Sequence, residues 1–211
     1  MISLHSFIFN SWAENTYVLY DETGECLIAD PGCSNREEQD ALAGFIREKQ
    51  LRPVLLVNTH CHLDHVLGNK FVLDMYGLSP WLHRREEVVL NAMIPYAASV
   101  GQTYDPSPPA GGFLEEGAKI GFGKEELDIL FTPGHSPGSV SFFSAGSRIV
   151  IAGDVLFYGS IGRTDLPGGD FDTLIRSIEA QLLTLGDDVK VFPGHGPATS
   201  IGFERENNPF L

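Results

Sequence analysis

The chain has 211 residues, of which 43% are hydrophobic and 20% are charged. These values are typical of a globular protein and exclude a disordered or fibrous chain. Asp and Glu number 28 against 14 Lys and Arg, and the net charge of −14 repels phosphate backbones and anionic lipid headgroups. We therefore expect one domain over residues 1–211, with no nucleic-acid partner and no membrane partner.

The three cysteines, Cys26, Cys33 and Cys61, form no CxxC pair. Their odd number argues against a disulfide framework or a zinc ribbon and suits a reducing compartment. The N-terminal segment has neither the basic region nor the long apolar run of a signal peptide, and no later apolar run reaches membrane-spanning length. We expect a cytoplasmic protein.

The first part of the chain predicts strands followed by a surface helix. Runs of β-branched and aromatic residues, bounded by turn residues, predict strands at 2–9, 16–20 and 26–30. Apolar residues then recur at helical spacing within 35–50, with charged residues on the other face. The continuous apolar run at 53–59 is typical of a strand that is covered on both faces.

The second part of the chain also predicts helices and strands. The patterns predict helices at 66–77 and 84–100, a Pro- and Gly-rich loop at 101–112, strands between 127 and 153, a helix at about 171–185 and a strand at 188–192. Strands and helices therefore occur in two halves. We expect an α/β fold with two layers of helix around two β-sheets.

Potential metal ligands are concentrated directly after the predicted strand at 53–59. The segment THCHLDH contains His60, His62, Asp64 and His65. Open α/β sheets bind ligands beyond the carboxyl ends of their strands. If this segment is extended, His60, His62 and Asp64 share one side, whereas Cys61 points away into packing. A single histidine is more often a surface or core residue, but chance explains this cluster poorly.

Three further candidates lie at the ends of later strands. His135 and His195 occur in the Gly- and Pro-rich turns TPGHSPGS and FPGHGP, which fix the position of a short imidazole arm. The alternative is that both are incidental histidines in ordinary turns. Asp154 follows a buried strand, where an ionised carboxylate is costly unless a cation lies beside it. A carboxylate that bridges two metals would avoid that cost.

Together these motifs resemble those of the metallo-β-lactamase superfamily. The THxHxDH motif of that family is similar to THCHLDH at 59–65, and its later motifs are similar to TPGHSPGS, to AGD at 152–154 and to PGHG at 193–196. The segment IADPG at 28–32 also fits. The resemblance implies an α/β fold of the four-layer αββα sandwich type.

The resemblance also implies two divalent metal ions, with zinc expected and iron or manganese as alternatives. Carried over residue by residue, the family pattern gives one metal to His60, His62 and His135, a second to Asp64, His65 and His195, and Asp154 as the bridge. Asp64 and Asp154 would act in catalysis with metal-activated water as the nucleophile. Asp30 would support the metal loop from behind, or it is a turn former before Pro31.

The loop at 153–170 is similar to one in glyoxalase II-like proteins, where a basic residue contacts the carboxylate region of glutathione. Arg163 occupies that spacing, and a guanidinium suits a carboxylate. Its alternative role is a salt bridge to Asp165 or Asp170. The resemblance implies a thioesterase that acts on an acyl-glutathione or a similar small-molecule thioester.

One departure concerns the C-terminus. Full-length glyoxalase II has a C-terminal helical domain, whereas only residues 196–211 follow His195 in this sequence. We therefore expect the short, single-domain type without that domain, in which Tyr96 and Tyr104 either line a different pocket or pack. Two alternatives remain: a persulfide dioxygenase with one iron held by His60, His135 and an aspartate, and a non-catalytic metal-binding module.

Overall fold

Two six-stranded β-sheets form the centre of the protein in a computed structural model that describes residues 1–211. The strands of the first sheet neighbour one another in chain order, and they are β1 (Ser3–Phe9), β2 (Glu14–Tyr20), β3 (Glu25–Ala29), β4 (Arg52–Val57), β5 (Pro80–Leu82) and β6 (Gly112–Phe113). Strands β1 to β3 pair antiparallel, whereas β3 to β6 pair parallel. The carboxyl ends of β3 and β4 therefore lie at the same edge.

The second sheet comes from the C-terminal half. Its strands are β7 (Lys119–Phe122), β8 (Glu125–Phe131), β9 (Val140–Ser144), β10 (Ile149–Gly153), β13 (Lys190–Pro193) and β14 (Thr199–Ser200), in the order β14-β13-β10-β9-β8-β7. Strands β11 (Leu156–Phe157) and β12 (Ser160–Ile161) form a separate hairpin. Because β10 and β13 pair parallel, the segments that follow them leave the sheet side by side.

The helices are α1 (Arg36–Glu48), α2 (Leu63–Val66), α3 (Asn69–Tyr76), α4 (Glu87–Ser99), α5 (Phe171–Ser177) and α6 (Ile201–Asn207). Side-chain caps begin α1 and α5, since Asn35 accepts a hydrogen bond from the Glu38 amide at 3.0 Å and Asp170 accepts one from the Thr173 amide at 2.8 Å. None of the helices has both the length and the apolar character needed to cross a membrane.

The core confirms the predicted αββα layers. Leu27 of the first sheet and Phe142 and Ile151 of the second belong to one buried cluster between the sheets. Alternate residues face outward, so Ile28 packs in a cluster with residues of α1 and α3, and Val150 packs in a cluster with α5. Burying each such side chain contributes about 1.5–3 kcal/mol, which fixes the register of both sheets.

The predicted helix at 66–77 is wrong in its boundaries. Helix α2 already begins at Leu63, and the chain breaks at Gly68 before α3 begins. The Gly68 amide donates to the Pro31 carbonyl at 2.7 Å, and a Cβ at Gly68 would overlap the Cys33 sulfur. This close approach bends the chain. Asp64 therefore lies in a helical turn, so the expected alternation of an extended segment ends at His62.

Other differences involve short elements. Six strands of two to four residues were not predicted, because they are too short to show a period: β5, β6, β7, β11, β12 and β14. Helix α6 was not predicted either, because its seven residues make only about two turns. The predicted helix at 171–185 is α5 followed by a π-helical turn at Ile178–Leu182, and the predicted helix at 84–100 begins with a 3-10 turn at Arg84–Glu86. The stretch from 101 to 111 is a loop, as predicted.

Cys26 and Cys33 are fully buried in the cluster beneath α1, and burial raises the pKa of each thiol to about 12. The thiolate is the reactive form, so we expect neither cysteine to react with a disulfide reagent at pH 8 within minutes. Unfolding in guanidinium should release both at once. Peptide mass mapping after labelling would measure this, and rapid labelling of either residue in the native protein would contradict it.

Candidate metal centre

Segments that leave both sheets meet at one edge of the molecule. His60 and His62 follow β4, His135 lies between β8 and β9, Asp154 follows β10, and His195 follows β13. The two sheets are joined here, since the β2 residue Glu14 pairs with His195 and the Asn15 amide donates to the Gly194 carbonyl at 2.7 Å. The fold thus brings together residues that are 135 positions apart in the sequence, from 60 to 195.

Three imidazoles converge in the first donor group. The Nε2 atom of His135 lies 2.9 Å from Nδ1 of His62 and 3.2 Å from Nε2 of His60. Nitrogen atoms that bind one tetrahedral ion at about 2.0–2.1 Å lie about 3.3 Å apart. The spacing of this group therefore matches a site for a single ion.

The second donor group mixes imidazole and carboxylate. The Oδ2 atom of Asp64 lies 3.1 Å from Nε2 of His195 and 3.5 Å from Nε2 of His65. Asp154 lies between the two groups, because its Oδ2 atom is 3.5 Å from Nε2 of both His135 and His195. Its other oxygen, Oδ1, is 3.5 Å from Nε2 of His65. One carboxylate thus faces both donor groups.

Hydrogen bonds on the outer side of the rings fix their orientation. His135 donates from Nδ1 to the Arg163 carbonyl at 2.8 Å, and His195 donates from Nδ1 to the Trp12 carbonyl at 3.1 Å. A ring that donates from Nδ1 keeps the lone pair of Nε2 free for a metal. The backbone therefore holds both imidazoles in the tautomer that a metal site requires.

Asp30 lies behind the second donor group. Its carboxylate accepts hydrogen bonds from the Thr59 amide at 2.7 Å and the Thr59 hydroxyl at 2.5 Å, and it lies 3.1 Å from Nδ1 of His65. The backbone of Asp30 is left-handed, with a φ of 49°, a costly conformation for a residue with a side chain. Asp30 thus connects the end of β3 to His65 and to the start of the histidine loop.

The histidines of the two donor groups have pKa values that are shifted in opposite directions. Burial and the adjacent imidazoles lower the pKa of His60 well below its ordinary value and that of His62 to about 4. Burial also acts to lower the pKa of His65, but Asp64 and Asp154 outweigh it and raise that pKa well above the ordinary value. The first group is therefore neutral, which is the form of imidazole that binds metals.

Two atoms at the centre lack any hydrogen-bond partner. Nε2 of His65 and Oδ1 of Asp154 are buried and unpaired. Leaving such atoms unpaired is costly, and a cation between them would satisfy both. Mixed imidazole and carboxylate donors suit zinc, iron and manganese. The residues present therefore fit divalent metal ions.

Glu86 is a site residue that sequence reasoning missed. Its buried carboxylate accepts hydrogen bonds from the Cys61 amide at 2.8 Å, the Ser136 hydroxyl at 2.6 Å and the Gly138 amide at 2.6 Å. Burial raises the pKa of Glu86, while these three hydrogen bonds lower it. Glu86 thus ties together the two loops that carry the first donor group. The run HRREEVV contains no signal for this role, because it resembles an exposed first turn of a helix.

A cavity of about 710 Å³ opens over the donor groups. Arg163 lines it, but its guanidinium donates two hydrogen bonds of 2.7 Å to Asp165, the salt bridge that the sequence left as an alternative. Tyr96 also lines the cavity, whereas Tyr104 packs against the cluster that contains Cys61. Cys61 is fully buried and packs in that apolar cluster, as predicted.

The profile of the metallo-beta-lactamase superfamily matches residues 11–195. The chain belongs to this superfamily. It is 39% identical to "Probable metallo-hydrolase YqgX" of Bacillus subtilis, over 93% of this chain and 92% of that protein. It is 36% identical to "Hydroxyacylglutathione hydrolase GloC" of Haemophilus influenzae, over 95% of this chain and 94% of that protein.

Solved structures of the superfamily share the fold. The B3 metallo-beta-lactamase BLEG-1 has a TM-score of 0.91 and 36% identity, covering 99% of both chains. TTHA1623 in a di-iron-bound form has a TM-score of 0.88 and 34% identity, covering 98% of this chain and 100% of that chain. ETHE1 of Myxococcus xanthus has a TM-score of 0.79 and 25% identity, covering 98% and 83%. The names of these relatives include a hydroxyacylglutathione hydrolase and a metallo-beta-lactamase, so superfamily membership leaves the substrate open.

Proposed function

We propose that the chain is a binuclear metallohydrolase of the glyoxalase II-like type, which hydrolyses an acyl-glutathione or a similar small-molecule thioester. The observation that carries the proposal is the position of Asp154 between two complete donor groups that border a cavity. The similarity to GloC supports a thioester as the substrate. Metal-dependent hydrolysis in general is typical of the superfamily.

In this proposal each donor group would hold one divalent ion, and Asp154 would serve both. His60, His62 and His135 would hold the first ion, and Asp64, His65 and His195 the second. When bound, such ions lower the pKa of water to about 7 and polarise the carbonyl that is attacked. Asp30 keeps His65 oriented toward the centre, in the supporting role that the family resemblance implies.

A carboxylate of the protein can accept the proton that the attacking water releases. Burial acts to raise the pKa of Asp64 and Asp154, but neighbouring imidazoles outweigh it and lower both values, so both groups are ionised at neutral pH. Asp64 lines the cavity and can accept the proton of the attacking water. The leaving group needs little help, because a thiol with a pKa of about 8.5 leaves readily as a thiolate.

Elemental analysis of protein purified without chelator, paired with hydrolysis of S-D-lactoylglutathione and of simple acyl-glutathiones, tests this function. We expect about two metal ions per chain and thioester turnover that is lost on chelation. Full metal loading without turnover on any thioester would contradict the proposal and would favour the non-catalytic metal-binding module.

A second candidate is the persulfide dioxygenase with one iron, which the similarity to ETHE1 supports. His60, His135 and Asp154 would hold the iron in that case. Oxygen uptake with glutathione persulfide separates the two candidates, since about one iron per chain with oxygen consumption and no thioester turnover would favour the dioxygenase. A chromogenic cephalosporin belongs in the same panel, because BLEG-1 is described as a metallo-beta-lactamase.

Arg163 provides a test of how a carboxylate-bearing substrate is held. Arg163→Ala should raise KM for acyl-glutathiones about fivefold, as expected for an exposed ion pair, with little change in kcat. Asp165→Asn should lower KM, because it frees the guanidinium from its present partner. Thioesters of uncharged N-acetylcysteamine are the control. An equal change in KM for this neutral substrate would contradict a role in carboxylate binding.

A further inference from the structure

One wall of the cavity is an apolar face of α4. Val88, Ala92 and Tyr96 are spaced four residues apart, so they form a single stripe along the helix, and all three line the cavity. All three are also exposed, with 69% of Val88 accessible to solvent. Val89 and Met93 continue the same wall toward the core, where both are buried. An apolar stripe held in contact with solvent commonly marks a binding surface.

Residues from other elements add further apolar surface to the lining. Phe157 and Ile161 come from the β11–β12 hairpin, Leu166 and Pro167 come from the loop that follows it, and Trp12 comes from the turn between β1 and β2. Five of the seven metal-ligand candidates line the same cavity, namely His62, Asp64, His135, Asp154 and His195. Its volume of about 710 Å³ lies within the range of small-molecule sites, about 300–1,000 Å³.

The charges around the cavity also favour an uncharged group against these walls. Apart from the donor groups and Asp154, Arg163 is the one charged side chain in the lining. Asp165 neutralises it through two hydrogen bonds of 2.7 Å. Ser160 is the one aliphatic hydroxyl in the lining. A small hydroxylated acyl group would therefore gain little from these walls, whereas an alkyl chain would lose its contact with water.

We propose that the preferred substrate is a thioester with an apolar acyl chain of medium length. The chain lies along Val88, Ala92 and Tyr96, and its carbonyl faces the donor groups. The stripe is about 12 Å long at 1.5 Å per residue, which suits a chain of about eight carbons. This inference rests on the proposed thioesterase function and specifies its acyl group.

The first experiment compares kcat/KM of the metal-loaded enzyme for acetyl-, butyryl-, hexanoyl- and octanoyl-glutathione, with lactoylglutathione as the hydroxylated comparison. Full burial of one methylene raises kcat/KM about fourfold, and in this open cavity we expect about half of that factor for each methylene. Octanoyl-glutathione should then exceed acetyl-glutathione by at least about tenfold. Equal values along the series, or lactoylglutathione as the best substrate, would overturn the proposal.

Two aspartate variants of α4 test the position of the acyl chain. Val88→Asp places a carboxylate on the cavity wall and should reduce the octanoyl-to-acetyl ratio about tenfold. Ile94→Asp is the matched control, because Ile94 is 53% exposed on the same helix and does not line the cavity. It should leave the ratio unchanged. The same response from both variants, or from neither, would contradict the assigned wall.

Binding of thioethers separates this inference from the proposed function. S-methyl- and S-octylglutathione lack the carbonyl, so calorimetry with the metal-loaded protein measures binding without turnover. The octyl compound should bind about tenfold more tightly, and Val88→Asp should remove most of that difference. If S-octylglutathione binds more tightly but no thioester is hydrolysed, the proposed function is rejected and the apolar binding site is supported. Turnover with equal binding of the two thioethers would reject the apolar site alone.

Discussion

Asp154→Ala is expected to abolish binuclear metal loading and to lower kcat/KM for any thioester by at least about 10³-fold, which is about 4 kcal/mol of transition-state stabilisation. Asp154 is the residue whose two carboxylate oxygens face both donor groups, at 3.5 Å from Nε2 of His65, His135 and His195. Its removal takes a shared negative charge from a buried site. Two ions that lack this bridge would repel each other with less compensation.

The measurement is elemental analysis together with steady-state kinetics, on protein that is shown to be folded by circular dichroism. Asp154→Asn separates charge from shape, because the amide fills the same space but is a weaker ligand, and we expect it to lose most of the second metal. Asp105→Ala is the matched control, since Asp105 is an exposed carboxylate that neither belongs to the donor groups nor lines the cavity. Two metals retained in Asp154→Ala would show that the carboxylate does not bridge.

The clustering of the proposed donor residues was predictable from the sequence because their signals are local. Histidines in Gly- and Pro-rich turns such as TPGHSPGS are visible in a few letters, and so is an aspartate directly after a buried strand. The fold class was equally visible, because the longer strands and helices have clear periods. In each case neighbouring residues carry both the structural and the chemical information.

What the sequence could not show depends on contacts between distant segments. The carbonyl of Trp12 orients His195 although 183 positions separate them, and every residue has a carbonyl, so no letter marks it. Helix α4 was predicted from the sequence, but the packing of the loops around it decides which face of the helix lines the cavity. The alternation of THCHLDH ended at His62 because α2 begins one residue later, at Leu63.

Glu86→Ala should lower the stability of the protein and weaken metal binding at the first donor group. The change leaves the Cys61 amide, the Ser136 hydroxyl and the Gly138 amide without their acceptor. Each unsatisfied buried donor costs about 1–3 kcal/mol, so we expect a loss of about 3–5 kcal/mol after water enters part of the space. For a chain of this size, that loss lowers Tm by about 10 °C.

The effect on metal binding follows from what the carboxylate connects. Glu86 holds the amide between His60 and His62 and two residues of the loop that carries His135. When a residue that orients metal ligands is lost, metal affinity typically falls about 10- to 100-fold. Competition with a chelator of known affinity, at a temperature where the variant is folded, measures this change apart from the loss of stability.

Two further variants show whether Glu86 positions the ligands or only supports the fold. In Glu86→Gln the amide oxygen can keep the bonds from Ser136 and Gly138, but the amide nitrogen faces the Cys61 N–H, so one of the three contacts becomes repulsive. Metal affinity should therefore fall in the order wild type, Gln, Ala. Glu87→Ala, at the exposed next position, should change neither quantity. Loss of the carboxylate should misplace the two loops and so weaken metal binding by the three histidines. If Glu86→Ala lowers Tm but binds metal as tightly as Glu87→Ala does, the carboxylate stabilises the fold and does not position the ligands.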